Sequence, residues 1–575
     1  MYIITNYGFV IDNRRCIGCH SCTVACKTEH DDALGANKTW VKYVEKGAYP
    51  DTSRQFSVLR CNHCNESPCT EICPVNALFE REDGIVDFDP ERCIGCKSCM
   101  QACPYDSIHI DPDTETAAKC NYCSHRIDSG RQPACVTACP EDAIVAGDIE
   151  DPESEISQVM SEHDLQARKP EKGTDPSLFY VNGDDANLVP GSTARNEHYL
   201  WSDAPSRVET HARAREEFDL DDAAESLADS EISADPVVPD TGSSNVASDG
   251  GQPRTADVPD RSTESTTTTA DRPADEFLQR DTERIYDVGE DHTETWGWQV
   301  YAYTWTKSIA AGAVLVPALL MLAGLFAPGS LIGVPADPQL LGVSALIATG
   351  FLGLTGALLI VKLNKLRRFH WVLLRPNWSS WLVKGAYVIS GFGALLGAVV
   401  VGWLAGVRAI VHPIVLGALI IGGTATAVYT ALLLGQAKGR DLWQSPLLPV
   451  HLFAQAILAG AAVAAGLGVL GFTDLLTPAR VLLGGGLIVH LGLIGAEFAP
   501  GHQTEDAHRA AQRILRGRFR GPFWASVIAG GVVPLAMVTL APTAGVVAGA
   551  GGLALAGLLA YEYSLIIAPQ TLSMA

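Results

Sequence analysis

Apolar residues divide the chain into three regions before any single residue is considered. From Trp296 onward, apolar runs recur near 308–327, 339–361, 383–404, 411–434, 450–471, 479–499, 523–541 and 545–567. Each is close to the roughly twenty residues a helix needs to cross a bilayer, so eight membrane helices are predicted. Gly and Ala are dense within them, as in GGTATA, AGAAVAAGLG and AGAGGLALAG, which suits close helix packing in lipid. The first 204 residues carry instead short β-like stretches, Tyr2 to Ile11, Gly84 to Asp89 and Ser107 to Asp111, set among loops, with Lys38 to Leu59 as an insertion. Residues 205–292 are acidic, rich in Ser, Thr, Pro and Gly, and nearly free of large apolar side chains. Such a segment cannot bury enough surface to offset its ordering entropy and is predicted to be a disordered linker, in which DAAESLADSEIS could form one short helix.

Charge sharpens this division. The 575 residues carry a formal charge of −23, spread unevenly: −15 over residues 1–200, −17 over 201–295 and +9 over 296–575. An acidic, Lys-poor front excludes nucleic acid as a partner, since phosphates demand a cationic footprint. The same composition fits a protein kept soluble at high salt. Arg14 and Arg15 run straight into Cys16 with no apolar stretch behind them, so no export signal is expected. In the membrane region the basic residues fall on alternate loops: Lys362, Lys365, Arg367, Arg368, Arg375 and Lys384; then Lys438 and Arg440; then Arg509 to Arg520. With eight spans, that basic face also holds the segment joining the front region. The positive-inside rule makes it cytoplasmic.

The chemistry lies in the cysteines. All sixteen fall in four groups: Cys16, Cys19, Cys22, Cys26; Cys61, Cys64, Cys69, Cys73; Cys93, Cys96, Cys99, Cys103; and Cys120, Cys123, Cys135, Cys139. The first and third have the two-two-three spacing of bacterial ferredoxins, in which three close thiolates hold one cube and the fourth reaches another. The second and fourth groups repeat the device with a longer gap before the third cysteine, and Pro74, Pro104 and Pro140 follow their groups as in the ferredoxin run. Structural zinc would leave the fourth cysteine of each group idle, and a disulfide framework belongs to small secreted chains. Sixteen thiolates at four per cube make four [4Fe–4S] clusters. The fold class expected is thus an α+β ferredoxin-like duplicated domain followed by an all-α polytopic membrane bundle.

RCNHCNESPCTEICPVNAL, RCIGCKSCMQACPYDSI and KCNYCSHRIDSGRQPACVTACPEDAI resemble the four-cluster electron-transfer subunits of the dimethyl sulfoxide reductase family, over residues 1 to about 182. The resemblance implies shared cubes: Cys16, Cys19, Cys22 with Cys139; Cys26 with Cys120, Cys123, Cys135; Cys61, Cys64, Cys69 with Cys103; and Cys93, Cys96, Cys99 with Cys73. It also implies a molybdopterin catalytic subunit as partner. No domain of the size needed for that cofactor is present here, so the substrate-reducing site is expected on a separate chain and no catalytic residue is assigned. Relatives often carry the cluster subunit outside the membrane, against the charge rule.

RRFHWVLLRPNWSSWLVKGAY, AVYTALLLGQAKGRDLWQSPLLP and the opening WGWQVYAYTW resemble the NrfD-type quinone-binding anchors. Lys384 stands where some members carry an acid. In that family a tyrosine of the fourth helix and polar residues near it bind the headgroup of menaquinone or another quinone; Tyr429 matches it. The other candidates at the basic-face ends are Lys307, Arg367, Arg368, His370 and His451, with Trp305 and Lys362 beside them. Haem would need paired axial histidines. His412, His451 and His490 are expected at unmatched depths, so no haem is expected. His490 and Glu497, seven residues apart, share one helix face and are candidates for a proton route. The expected function is electron transfer between the quinone pool and a molybdopterin enzyme, with a hydrogenase- or formate-type module, or an ion-pumping one, as alternatives.

Overall fold

The structure is a computed structural model and describes residues 5–48, 50–189, 194–195, 282–286, 295–498, 501, 504–572 and 574. In the front domain Tyr7–Asp12 is the central strand. It pairs parallel with Leu178–Val181 and antiparallel with Ile144–Asp148, while Leu165–Gln166 closes one edge. Phe9, Val10 and Ile11 are almost fully buried there. Two small hairpins, Leu78–Glu80 with Val86–Phe88 and Ile108–Ile110 with Ala117–Lys119, give the duplicated ferredoxin pattern. Lys38 to Leu59 is more than an insertion: Thr39–Ala48 and Asp51–Arg60 form one long hairpin, in register from Thr39–Arg60 to Ala48–Asp51.

Part of the expected linker is also ordered. Thr282–Tyr286 pairs antiparallel with the strand Thr39–Ala48, and Ala194–Arg195 adds to its other side. TERIY carries the β-branched and aromatic residues that favour a strand, and the long hairpin offers it an unpaired edge. The helix expected in DAAESLADSEIS lies outside the described residues.

Among the described residues, eight helices are long and apolar enough to cross a membrane: Trp298–Phe326, Pro338–Val361, Trp381–Leu404, Pro413–Gly435, Leu448–Val469, Thr473–Phe498, Arg520–Leu540 and Ala544–Thr571, here spans 1 to 8. Span 1 starts ten residues before its apolar run because WQVYAYTWTK, mixed in polarity, buries Val300, Tyr303, Thr304, Thr306 and Lys307 against protein, while Trp298 is exposed. At Gly312 a side chain would strike the backbone of Ala456 and Gly460, so the glycines let spans 1 and 5 touch backbone to backbone. Span 7 contains a π-helical turn at Ile528–Val532. Between spans 6 and 7 lies an amphipathic helix, Glu505–Leu515, which buries Ala507, Ala510, Ala511 and Ile514.

The front domain sits on the basic face, but not chiefly through charge. Asn377 Nδ2 donates to the carbonyls of Thr70 and Cys73, at 3.1 and 2.8 Å, and Arg368 donates to those of Pro90 and Cys93. Val372 and Val383 pack into the front domain's apolar core, and Leu433 meets Ile72 and Ala102. Arg440 Nε donates to Gln101 Oε1 at 2.8 Å, while Gln101 also reaches Gln570. Beyond span 8, Met574 N donates to Asp106 and its carbonyl accepts from Arg168. Two ion pairs run opposite to the overall charge: Lys172 to Asp441 and Lys169 to Asp506, both lysines belonging to the acidic domain.

This interface predicts unequal effects of removing charges. Asp441→Ala strands the buried Lys172, whose pair is only 7% and 8% exposed, and should weaken docking by about 3–5 kcal/mol. Lys365→Ala breaks an exposed pair with Glu115, 31% and 55% exposed, and should cost about 1 kcal/mol or less. Amide hydrogen exchange across residues 166–174 and 438–445 in detergent measures both, and only the Asp441 variant should accelerate it.

Candidate metal centres and membrane cavity

Each cysteine group folds as a tight loop entering a short helix. Gly18 and His20 in the first loop, and Gly95 and Lys97 in the third, have positive φ, which turns successive sulfurs inward. At Gly95 a Cβ would also strike Asn364, so this glycine admits the membrane half against the loop. None of the sixteen cysteines forms a disulfide.

The folding brings the sulfurs into four sets. Cys16, Cys19, Cys22 and Cys139 line one cavity, the first set. Cys73, Cys93, Cys96 and Cys99 line another, the fourth set. Cys64 lies in the fields of Cys61, Cys69 and Cys103, and these four are the third set. Cys26 lies near Cys120 and Cys135, and Cys123 near Cys135, which gives the second set. The sets form a row, since Cys22 neighbours Cys135, Cys120 neighbours Cys61, and Cys99 neighbours Cys69.

Burial pushes the Cys22 and Cys73 thiols up to about 11, and those of Cys103 and Cys120 to about 12. Unmetallated, such sulfurs hold their protons at neutral pH; a cationic metal core makes the thiolate the stable form. Backbone N–H groups already point at several of them: Ala77 at Cys73 and Ala143 at Cys139, both at 3.2 Å, and Ala117 at Cys93 at 3.4 Å. Cavities at the first and fourth sets, four sulfurs in every set and inward donors fit [4Fe–4S] groups.

Beside the fourth set, an apolar cavity of about 240 Å³ opens between the front domain and spans 1 to 4. Ile94 and Cys96 form one wall; Trp296, Tyr303, Lys362 and Tyr429 supply polar atoms. Trp296 stacks on Trp443 at 5.5 Å, donates from Nε1 to the Cys96 carbonyl at 3.3 Å, and carries the Lys362 ammonium 4.5 Å above its ring. The Tyr429 ring lies where a side chain at Gly385 would have to be. Behind it Lys307 faces the ring at 5.4 Å and donates to the Ala427 carbonyl and the Thr430 hydroxyl at 2.8 and 2.9 Å.

The sequence candidates for a quinone site are therefore dispersed. Tyr429 lines the cavity and Lys307 stands behind it. Arg367 and His370 are exposed on the loop after span 2, and Arg368 is committed to the Pro90 and Cys93 carbonyls. Trp305 ties span 1 to span 8 through the Leu555 carbonyl. His451 belongs elsewhere. Tyr303 and Trp296 were missed, although an aromatic-rich stretch opening a membrane half was a usable signal.

Two of the histidines expected at unmatched depths nonetheless pair. His451 Nε2 and His490 Nδ1 are 2.9 Å apart, His451 Nδ1 is 3.3 Å from Glu497, and Tyr561 donates to Glu497 at 3.0 Å. All four side chains are buried. His451 stands about one turn into its span and His490 about two turns from the end of its own, a mismatch that two antiparallel side chains bridge. His412 instead caps span 4, accepting from Ile414 N. Glu562, buried within reach of the Lys307 charge, was also missed, although a carboxylate in an apolar run is itself a signal.

Residues 288–573 match the family described as "Polysulphide reductase, NrfD", residues 52–149 a 4Fe-4S dicluster domain, and residues 14–29 a 4Fe-4S binding domain. Among curated proteins, the B subunit of tetrathionate reductase from Salmonella typhimurium is 44% identical over 201 residues, covering 34% of this chain and 80% of that one. The putative B-type iron-sulfur subunit of dimethyl sulfoxide reductase from Halobacterium salinarum is 36% identical over 237 residues, covering 36% and 90%. The B component of polysulfide reductase from Wolinella succinogenes is 39% identical over 180 residues, covering 30% and 93%.

The close approach at Gly385 yields a test of the cavity. Gly385→Ala should displace the Tyr429 ring at an overpacking cost of about 1–3 kcal/mol. A fluorescent quinol analogue should then bind roughly tenfold more weakly, while iron content stays unchanged.

Proposed function

This protein belongs to the iron–sulfur subunits of the tetrathionate, polysulfide and dimethyl sulfoxide respiratory reductases, joined here to an NrfD-type multi-pass membrane domain, and on that premise we propose that it conducts electrons between membrane quinol and a separate molybdopterin catalytic subunit. The observation that carries this reading is a shared wall. Ile94 and Cys96 line both the cysteine-bounded cavity of the fourth set and the apolar cavity of the membrane half. A headgroup there lies next to the end of a row of cysteine sets.

Four bound [4Fe–4S] groups would supply one-electron relays, held by the first to fourth sets in the pairing given above. Oxidation of one quinol releases two electrons and two protons, so the cavity must orient the headgroup and pass the protons on. The Tyr429 hydroxyl and the Lys362 ammonium can donate to a headgroup oxygen, while the apolar walls hold the ring. Proton acceptors lie deeper, in the buried His451, His490, Glu497 and Tyr561 network. That network favours a second reading, in which electron flow is coupled to charge movement across the membrane. Menaquinone or another quinone is the mobile carrier, and the charge rule assigns the cluster domain to the cytoplasmic side.

Purified protein should hold close to sixteen irons, and quinol should reduce the clusters in membranes. Tyr429→Phe should leave all cubes assembled, by iron analysis and EPR, and slow quinol-driven reduction about tenfold or more, since a lost hydrogen bond in a buried site costs about 1–3 kcal/mol. Reduction at the wild-type rate would sink the assignment of the cavity.

A further inference from the structure

Arg60 is fully buried, at the end of the hairpin strand Asp51–Arg60 and one residue before a cysteine of the third set. A buried guanidinium without negative charge beside it is costly. No carboxylate among the described residues forms an ion pair with it. Its Nη1 donates instead to Cys135 Sγ at 3.0 Å, and its plane lies 4.6 Å over the Phe9 ring. Nε and Nη2 are buried and have no acceptor among the described residues. Its sulfur neighbours include Cys22 of the first set and Cys120 and Cys135 of the second, thiolates when a cube is held.

Lys119 repeats the arrangement one step along the row. It too is fully buried, and its Nζ lies 3.6 Å from Cys61 Sγ and donates to the carbonyls of Cys120 and Val86. Its sulfur neighbours are Cys61 and Cys69 of the third set and Cys120 of the second, with the Asp87 carboxylate as a weaker influence. One fixed cation thus stands between the first and second sets and another between the second and third. Among the described residues no third buried cation of this kind bridges the third and fourth sets; Lys362 faces the fourth from the membrane side.

Reduction adds one negative charge to a cube, so a fixed cation beside it favours the reduced form, most strongly in a low-dielectric interior. We propose that Arg60 and Lys119 are positioning charges that set the potential profile of the row, with the orphaned Nε and Nη2 of Arg60 donating to cluster sulfur. The second set, flanked by both, is raised most and is where an electron arriving from either end comes to rest. This rests on the reading that the four sets hold cubes.

The test is an EPR-monitored redox titration of the full-length protein in membranes, with the second-set signal assigned through Cys123→Ser. Arg60→Met should lower the potentials of the first and second sets and Lys119→Met those of the second and third. The double variant should lower the second set by the sum of its two shifts, and the fourth should stay put. Arg60→Lys and Lys119→Arg should recover most of each shift, which a merely structural role would not produce. Four assembled cubes with potentials unmoved by both Met variants, or a fourth set that moves as far as the second, would overturn the proposal. If the neutral variants lose a cube, the wild-type titration decides: the second set reduces first, and any other set preceding it refutes the idea. Wild-type protein with fewer than four cubes would defeat the cluster reading itself, a separate and recognisable outcome.

Discussion

The junction depends on seating two cysteine loops, residues 70–73 and 90–99, against the mouth of the first four spans. The seat is built from directional hydrogen bonds to backbone carbonyls that a ferredoxin loop leaves unpaired. Asn377 takes those of Thr70 and Cys73, Arg368 those of Pro90 and Cys93, and the Trp296 indole that of Cys96. Buried carbonyls need partners, so the loops have one favourable orientation on the bundle rather than a range of them. That orientation makes Cys96 a wall of both cavities. Salt bridges are secondary to it. The acidic domain even presents buried lysines to aspartates of the basic half, the reverse of what bulk charge suggests.

Much of this was legible in the sequence because the constraints involved are local. Four thiolates per cube fix cysteine spacing, and a bilayer fixes the length of an apolar run, so both the row of cysteine groups and the eight spans can be read from one dimension. Neighbours in space are not local. Lys362, Arg367, Arg368 and His370 look alike as a basic string, yet a turn and a short helix send them to different surroundings: cavity wall, solvent, loop carbonyls and solvent again. His451 and His490 looked mismatched when depth was counted along separate helices. Side-chain reach closed the gap. Hydropathy also hid the first ten residues of span 1, since polar side chains there, Thr304, Thr306 and Lys307, are buried by protein rather than by lipid.

Arg60 and Lys119 show a related limit. Each directly precedes a cysteine, where a basic residue reads as a surface charge beside a loop. Only the fold shows them fully buried, Arg60 where the first and second sets adjoin and Lys119 where the second and third do. Among the described residues neither forms an ion pair with a carboxylate, which sets them apart from ordinary buried ions and makes the sulfur sets their main counter-charge.

The contacts made by Gln570 and Met574 bear on biogenesis. Gln570 lies at the end of the eighth span and Met574 follows it, yet they bond to Gln101, Trp296, Asp106 and Arg168, which the ribosome delivers long before. The front domain is translated before the membrane half, but its seat is not complete until the end of the eighth span is in place. A truncated or misthreaded chain would leave those partners unmet and the junction loose. Contacts between the end of the eighth span and the front domain thus tie completion of the junction to insertion of that span.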